Sequence, residues 1–580
     1  MPNRRQATAK SQQVVAASTA PKNKHNKKAI PAAKPPTTTV GQYLIRRLYD
    51  LGVRHIFGVP GDYVLSFYQM LEDSPIQVVG MTREECAGLA ADAYARLRGI
   101  GAVCVTYGVG GLNLCNAVAQ AYAEESPVVV ISGAPGVAER ATNALLHHRV
   151  GEFTTQKEVF DRLTVGSAIL DDRLTAFREI DRLLTACQRY KRPVYIELPR
   201  DQVNAEPLYD HQPETDRLTS DRKALKEAVE ETVRMLREAK RPVVLVGVEI
   251  HRYGLHDELL QFVERTGIPM ASTLLGKSAV AESHPLHIGI YEGKMCREEV
   301  RQYVEGSDCI LLLGCFLTDV DLGGELTRFP EERSICAISS GIRIRFHLYR
   351  DVLMADYMRA LARYEDLPRK EESDRPRVQE PQPFQAKPNQ PVTIRRLYQK
   401  INDILTEKMV VIADIGDALF AASELVTRQR TEFISPAYYT SMGFAIPAAV
   451  AAGFARPDLR ALCIVGDGAF QMTGMELSTI VRHGFNPIVL VLNNKGYTTE
   501  RYILDGPFND VHEWKYHRVP EVLGGGWGFE VRTEGELEDA LNAALANTSC
   551  FSIINVHLDP WDCSAALERL GKRLSKKVKG

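Results

Sequence analysis

Residues 461–500, ALCIVGDGAFQMTGMELSTIVRHGFNPIVLVLNNKGYTTE, set polar groups suited to chemistry between apolar runs. Asp467 stands between Gly466 and Gly468, where an expected buried strand, 461–465, ends. A helix is expected over about 473–483. A second apolar strand, 487–492, ends on Asn493 and Asn494. Open α/β sheets place ligands at the C-terminal ends of their strands. A carboxylate and an amide oxygen are hard ligands, which suit Mg²⁺ or Ca²⁺ rather than zinc. Glycines let backbone N–H groups come close to a phosphate, and a helix N-terminus favours its charge. The stretch therefore reads as a divalent cation pinning a diphosphate. A Gly-Asp-Gly triplet alone is equally an ordinary turn; the second polar strand end gives it weight.

Four features nearer the N-terminus could also do chemistry. Gly58-Val-Pro-Gly61-Asp62 turns sharply off a strand end and leaves Asp62 at its tip, as a functional carboxylate or a turn-stabilising one. Glu84 opens an alanine-rich helix over 84–97, where a first-turn acid also complements the helix dipole. Thr106-Tyr-Gly-Val-Gly-Gly111 is a glycine-rich passage from strand to helix that could approach a cofactor or simply pack tightly. His147 and His148 sit side by side in a loop. Adjacent histidines are often incidental, yet imidazole is the side chain suited to proton transfer near neutral pH.

These residues need rigid elements to hold them. Strands at 54–60, 102–107 and 127–132 alternate with helices at 84–97 and 111–122, which is a βαβ series and hence a parallel sheet covered on both faces. A middle region, 206–368, repeats the pattern with strands at 241–246, 268–273, 309–314 and 335–339. It shows no cluster of acid or base residues. A charge- and proline-rich stretch, 368–391, reads as an exposed linker. A third α/β region follows, with a strand at 409–413 running into Asp414-Ile-Gly416-Asp417.

Taken together, GVPGD, the Glu before AADAYAR, TYGVGG, AQAYAEESPVVVISGAPG, LLHH and the GDG–NN segment resemble, in this order, the thiamin diphosphate (ThDP)-dependent 2-keto acid decarboxylases. The resemblance spans about 39–560. It implies an α/β protein of three doubly wound parallel-sheet domains, the ThDP-enzyme fold. These are a pyrimidine-binding domain at 39–205, a central domain at 206–368 and a diphosphate-binding domain at 392–562, with a linker at 369–391. It also implies ThDP and Mg²⁺ as cofactors. Asp467, the Asn494 side chain and the Gly496 carbonyl would hold the metal, and Gly468 and Ala469 would contact the diphosphate. Gly416 and Asp417 would lie by the cofactor. The Thr440 carbonyl would face its amino group, and Met442 would be the wedge that bends it. Glu84 would bond to its pyrimidine ring. Asp62, His147, His148 and Glu500 would relay protons and position the substrate carboxylate.

The implied reaction is non-oxidative decarboxylation of a small-molecule 2-keto acid to an aldehyde and CO₂. Residues 127–136 and 192–200 look most like phenylpyruvate- and indolepyruvate-type members, so an aromatic substrate is expected. The alternatives are pyruvate, an acetolactate synthase-like carboligase, and an inactive ThDP-binding regulatory subunit. The family builds its site between subunits, which implies a homodimer or homotetramer.

Composition narrows the classes further. The 580 residues are 45% hydrophobic and 25% charged with a net charge of −2, which provides no bulk field for nucleic acid. No apolar run is long enough to span a membrane. Eleven cysteines without metal-site spacing suggest reduced thiols and a cytoplasmic protein. Residues 1–38 carry eight Lys or Arg and no acid, and read as a disordered basic tail or an organelle transit segment. The last residues, 563–580, read as a basic helix. Residues 506–517 are expected to cover the site.

Overall fold

Short runs of β-branched residues, such as Val128–Ala134 and Ile488–Asn493, are buried along their whole length. Strands apolar on both faces belong inside parallel sheets covered by helices. The computed structural model shows three such sheets. It describes residues 38–578, except 210, 212–218, 324–328, 372–373, 379–380 and 429–431. The basic N-terminal tail expected from the sequence lies outside the described residues, apart from its last position.

The first sheet holds β1 (His55–Val59), β2 (Gln77–Gly80), β3 (Gly101–Val105), β4 (Val128–Ala134), β5 (Ser167–Ile169) and β6 (Val194–Pro199). Their order is 2-1-3-4-6-5, all parallel. The second holds β7 (Pro242–Val246), β8 (Met270–Ser272), β9 (His287–Ile290), β10 (Cys309–Leu313), β11 (Ser334–Ile338), β12 (Gly341–Ile344) and β13 (His347–Tyr349). Its order is 13-12-11-10-7-8-9, and β12 and β13 run antiparallel. The expected parallel sheet is therefore closed on one edge by a hairpin, as mixed sheets often are.

The third sheet holds β14 (Met409–Ala413), β15 (Glu432–Ile434), β16 (Arg460–Gly466), β17 (Ile488–Asn493), β18 (Trp527–Val531) and β19 (Ser552–His557). Its order, 15-14-16-17-19-18, repeats that of the first sheet strand for strand. In both, the direction of winding reverses between the first and third strands. Such a switch point opens a crevice at the carboxyl ends of those strands. Asp62 follows β1, the glycine-rich turn follows β3, Asp414 follows β14 and Asp467 follows β16.

Two alanine-rich helices, Glu84–Arg98 and Ala445–Ala455, join the first and third sheets in one core cluster. Small side chains let such helices approach closely, and both are buried over most of their length. Thr39 and Thr393 cap the first helix of each half, each side chain accepting from the backbone three residues on.

Several expected elements differ. The helix expected over 473–483 starts at Asp467 instead. Gly466 is the extended residue before it, and the Asp467 carboxylate complements the helix N-terminus. The chain then passes through a tighter turn at Gly474–Glu476, where the space beside the Phe470 ring (2.4 Å from a notional Cβ) admits only glycine at 474, and resumes as Leu477–His483. The helix expected over 111–122 divides into Val109–Leu112 and Cys115–Ala123. Asn113, at the break, turns its amide to Glu84.

The described part of the linker has no helix or strand, but it is not wholly exposed. Phe384 is buried beneath Arg396 and Lys400, with cation-to-ring distances of 4.4 and 5.2 Å. Residues 506–517 are pinned by an Arg501–Asp510 ion pair and by buried Tyr516. The C-terminal helix, Ala565–Val578, packs Ala566, Leu567 and Leu570 against Met295 and Phe420. Among the described residues no helix is long and apolar enough to cross a membrane, and all eleven cysteines are free thiols.

Candidate active site

The turn after β1 folds as it does because its glycines pack tightly against the strand end beside them, Gly58 against backbone and Gly61 against a side chain. A Cβ on Gly58 would lie 2.0 Å from the Cys104 carbonyl oxygen, and one on Gly61 would lie 2.5 Å from the Thr106 Cβ. Asp62 is thereby set beside the histidine loop. Its Oδ2 lies 2.9 Å from His147 Nε2. The His147 ring stacks on Tyr63 at 4.7 Å, and the Tyr63 hydroxyl lies 3.3 Å from His147 Nδ1. His148 Nδ1 lies 3.1 Å from the Tyr107 carbonyl oxygen. A carbonyl only accepts, so Nδ1 carries the proton and Nε2 is left with a lone pair. His148 adopts a left-handed backbone, φ 66°, a strained state that non-glycine residues adopt mainly at functional sites. The structure thus brings together Asp62, His147 and His148, three positions the sequence singled out.

Gly108 makes this possible. Its φ is 67°, and a Cβ there would stand 2.2 Å from the His148 carbonyl oxygen. Gly108→Ala is expected to push the histidine loop out of place and lower kcat/KM by about 10²-fold. Steady-state assays of the folded variant check this.

Glu84 begins its helix at the opposite wall of the turn. Asn113 Nδ2 donates to its Oε2 at 2.8 Å, and a Cβ on Gly110 would be 3.7 Å from its Oε1. The carboxyl group therefore borders the backbone of the glycine-rich turn.

The second half of the site lies on the third sheet. Asp467 is buried, and burial pushes its carboxyl up to about 6 against the opposing backbone N–H groups of Gly468, Lys495 and Gly496. Gly468 N donates to Oδ1 at 2.7 Å and Gly496 N to Oδ2 at 3.2 Å. Asn494 is also buried, and its Oδ1 has no hydrogen-bond partner. An orphaned amide oxygen and a buried carboxylate at neighbouring strand ends form a donor set that fits a hard dication. Gly468 packs against Tyr497, with 2.4 Å from a notional Cβ to the ring, and Gly496, φ 154°, against the Asn509 carbonyl oxygen at 2.1 Å. Ala469 is buried beside Gly468.

This arrangement has a pH signature. Because the folded value of Asp467 is raised, its ionisation above about pH 6 opposes folding of the metal-free chain, and a dication offsets that cost. Mg²⁺ is therefore expected to raise the unfolding midpoint more at about pH 7.5 than at about pH 5, where a proton occupies the carboxyl. Equal stabilisation at both would argue against Asp467 as a ligand.

A third set of residues follows β14. Asp414 is fully buried, and burial raises it to about 6. It accepts from Gly443 N at 3.0 Å and Ala445 N at 2.8 Å, and so fixes the turn that carries Thr440 and Met442. Thr440 is held left-handed, φ 61°, and Met442 packs half-buried against the shared core. Gly416 faces Thr499, one residue from Glu500, which is exposed in the first turn of helix Thr498–Ile503.

Asp417 stands next to Gly416, but its carboxylate is engaged within the protein. Ser564 N donates to Oδ2 at 2.8 Å and the Ser564 hydroxyl binds Oδ1, so the side chain anchors the start of the C-terminal helix. Burial raises its carboxyl to about 7. Sequence reasoning passed over Asn113, Tyr63 and Asp414. Asp414 could have been found, since it closes β14 as Asp467 closes β16.

Three family models match the chain, described as thiamine pyrophosphate enzyme, N-terminal TPP binding domain (residues 38–158), central domain (229–344) and C-terminal TPP binding domain (414–556). Indole-3-pyruvate decarboxylase of Azospirillum brasilense is 36% identical over 539 residues, covering 91% of this chain and 97% of the relative. Pyruvate decarboxylase 4 of Arabidopsis thaliana is 32% identical over 555 residues, 93% and 92% respectively. An alpha-keto-acid decarboxylase of Mycolicibacterium paratuberculosis is 36% identical over 539 residues, 91% and 95%. With matching models on all three sheets and relatives aligned over nearly its whole length, the chain belongs to the ThDP-dependent 2-keto acid decarboxylases, a family of carboxy-lyases.

Proposed function

We propose that the protein carries out ThDP- and Mg²⁺-dependent, non-oxidative decarboxylation of an aromatic 2-keto acid, phenylpyruvate or indolepyruvate, to an aldehyde and CO₂. The observation that carries this reading is the Asp62–His147 pair, 2.9 Å apart, with His148 alongside at the switch point of the first sheet. When bound, ThDP supplies the electron sink that loss of CO₂ from a keto acid requires. Asp467, the Asn494 side chain and the Gly496 carbonyl hold Mg²⁺. Gly416, the Asp417 backbone, Gly468 and Ala469 border the diphosphate. Thr440 and Met442 orient the cofactor's rings. Glu84 holds a proton at the pyrimidine ring.

Asp62, His147, His148 and Glu500 position the substrate carboxylate and deliver a proton to the carbon that has lost CO₂. A proton donor at that place favours release of an aldehyde over carboligation. In this reading the chain divides at 39–205, 206–368 and 392–562, and works in the cytoplasm as a homodimer or homotetramer. The repeated strand order of the first and third sheets supports two complementary half-sites that meet between subunits.

An aromatic substrate is supported by the indole-3-pyruvate decarboxylase relative, and the plant relatives named pyruvate decarboxylase support pyruvate as the second reading. The test is CO₂ release from phenylpyruvate, indolepyruvate and pyruvate, with and without ThDP and Mg²⁺, for the native chain and His148→Ala. Cofactor-dependent release from an aromatic acid, lost in the variant, is expected. Release from pyruvate alone would overturn the substrate, and none from any acid would overturn the reaction.

A further inference from the structure

We propose that Asp62, His147 and His148 form a binding site for a transition-metal dication of the Zn²⁺ class, separate from the oxygen-rich site at Asp467. One ligand atom from each residue lies within 4.8 Å of the other two. Zinc binds histidine and carboxylate tetrahedrally at about 2.0–2.2 Å, which sets neighbouring ligands about 3.4 Å apart. The Asp62–His147 edge, at 2.9 Å, lies within about 0.5 Å of that separation. His148 has to close by no more than about 2 Å, which a loop side chain can do.

The second feature is how the rings are held. His148 Nδ1 donates to the Tyr107 carbonyl, and the Tyr63 hydroxyl meets His147 Nδ1 at 3.3 Å. His148 is thus oriented through Nδ1, which leaves its Nε2 for a ligand, while His147 Nε2 already faces the Asp62 carboxylate and would exchange the proton between them for the ion. Metal-binding histidines are characteristically held this way, by a carbonyl, carboxylate or water on the far nitrogen. The set is two histidines and one carboxylate with further positions open, which suits Zn²⁺, Fe²⁺, Ni²⁺ or Cu²⁺ and not Mg²⁺. The nearest opposing charge is Arg200, whose Nη1 lies 3.8 Å from Asp62 Oδ2. It is paired with Glu139, which balances its charge.

A bound ion occupies the Nε2 atoms of His147 and His148 and the Asp62 carboxylate, releasing to solvent the proton held between His147 and Asp62, and these are the groups through which a proton would pass. The site therefore makes the enzyme reversibly inhibitable by a soft-to-borderline dication while Mg²⁺ stays in place.

The test titrates the full chain, saturated with ThDP and Mg²⁺, with Co²⁺, read by its d–d absorption, and then displaces Co²⁺ with Zn²⁺. One Co²⁺ per chain is expected despite excess Mg²⁺. Asp62→Asn, His147→Ala and His148→Ala should each weaken it at least about tenfold, and Tyr63→Phe about tenfold through the His147 ring. His347→Ala, an exposed histidine elsewhere, should leave the titration unchanged. Circular dichroism establishes that the variants are folded. CO₂ release should fall as Zn²⁺ occupancy rises and return when a chelator is added and Mg²⁺ restored. No Co²⁺ spectrum in excess Mg²⁺, or one that survives the three ligand variants, would overturn the site. The spectrum needs no turnover, so its failure is distinct from failure of the proposed reaction.

Discussion

Glu84→Gln is expected to lower kcat for the preferred 2-keto acid by about 10²- to 10⁴-fold, the usual weight of a positioned acid or base. The substitution preserves shape. Glutamine still offers an oxygen to Asn113 Nδ2, which now donates to Glu84 Oε2 at 2.8 Å, and it keeps the start of the helix Glu84–Arg98 intact. What it removes is the ability to hold and release a proton at a ring nitrogen. The loss should therefore fall on kcat, with KM for substrate little changed, while the far-ultraviolet circular dichroism and unfolding midpoint stay near native. A drop of less than about tenfold would remove Glu84 from the proposed proton path.

The second large effect is on stability. Arg96→Met is expected to destabilise the fold by about 3–5 kcal/mol, the range for breaking a buried ion pair from one side. Arg96, Asp92 and Glu124 are all buried. The Arg96 guanidinium donates through Nε and Nη2 to Asp92 at 2.9 and 2.8 Å, and through Nη1 to Glu124 and to the Ser435 carbonyl, both at 2.7 Å. Burial opposes ionisation of Asp92, yet Arg96 holds it below the usual carboxylate range. Removing the cation leaves two carboxylates uncompensated.

The same network reaches the site. Glu124 Oε1 accepts from Tyr438 N and Tyr439 N, each at 2.8 Å, immediately before Thr440. Arg96→Met should thus also weaken ThDP binding, detectable as a raised cofactor requirement. Adding Asp92→Asn and Glu124→Gln should recover most of the stability, since neutral amides no longer need the cation. Failure of the triple variant to recover would place the effect in packing rather than charge.

Much of the local organisation was legible in the chain. The strands at Met409–Ala413 and Arg460–Gly466 announce themselves as apolar runs ending on glycine and aspartate, because a strand covered on both faces has no room for polar residues until it leaves the sheet. The helix breaks at Gly474 and Asn113 were not legible. At Asn113 the side chain turns to Glu84, a residue that sequence spacing does not place beside it. Asp417 shows the limit most clearly. Its position after a glycine at a strand end suggests a ligand contact, but its partner, Ser564, is almost 150 residues away in the sequence.

By itself the sequence determined the α/β class and the chemical groups at the strand ends, which follow from hydrophobic period and residue types, while the family and its three-domain plan came from the resemblance of its motifs to known enzymes. Only the tertiary structure decided which of those groups act together. The 2.9 Å approach of His147 to Asp62, the tautomer of His148 held by Tyr107 and the orphaned oxygen of Asn494 depend on where separate loops meet. So does the turn that Asp414, after β14, and Glu124, at the end of the helix Cys115–Ala123, hold from opposite sides. Strand and helix periods are local properties of the chain, whereas proton paths and metal sites are distances of a few ångströms between loops far apart in sequence, set by how the sheets and their covering helices pack.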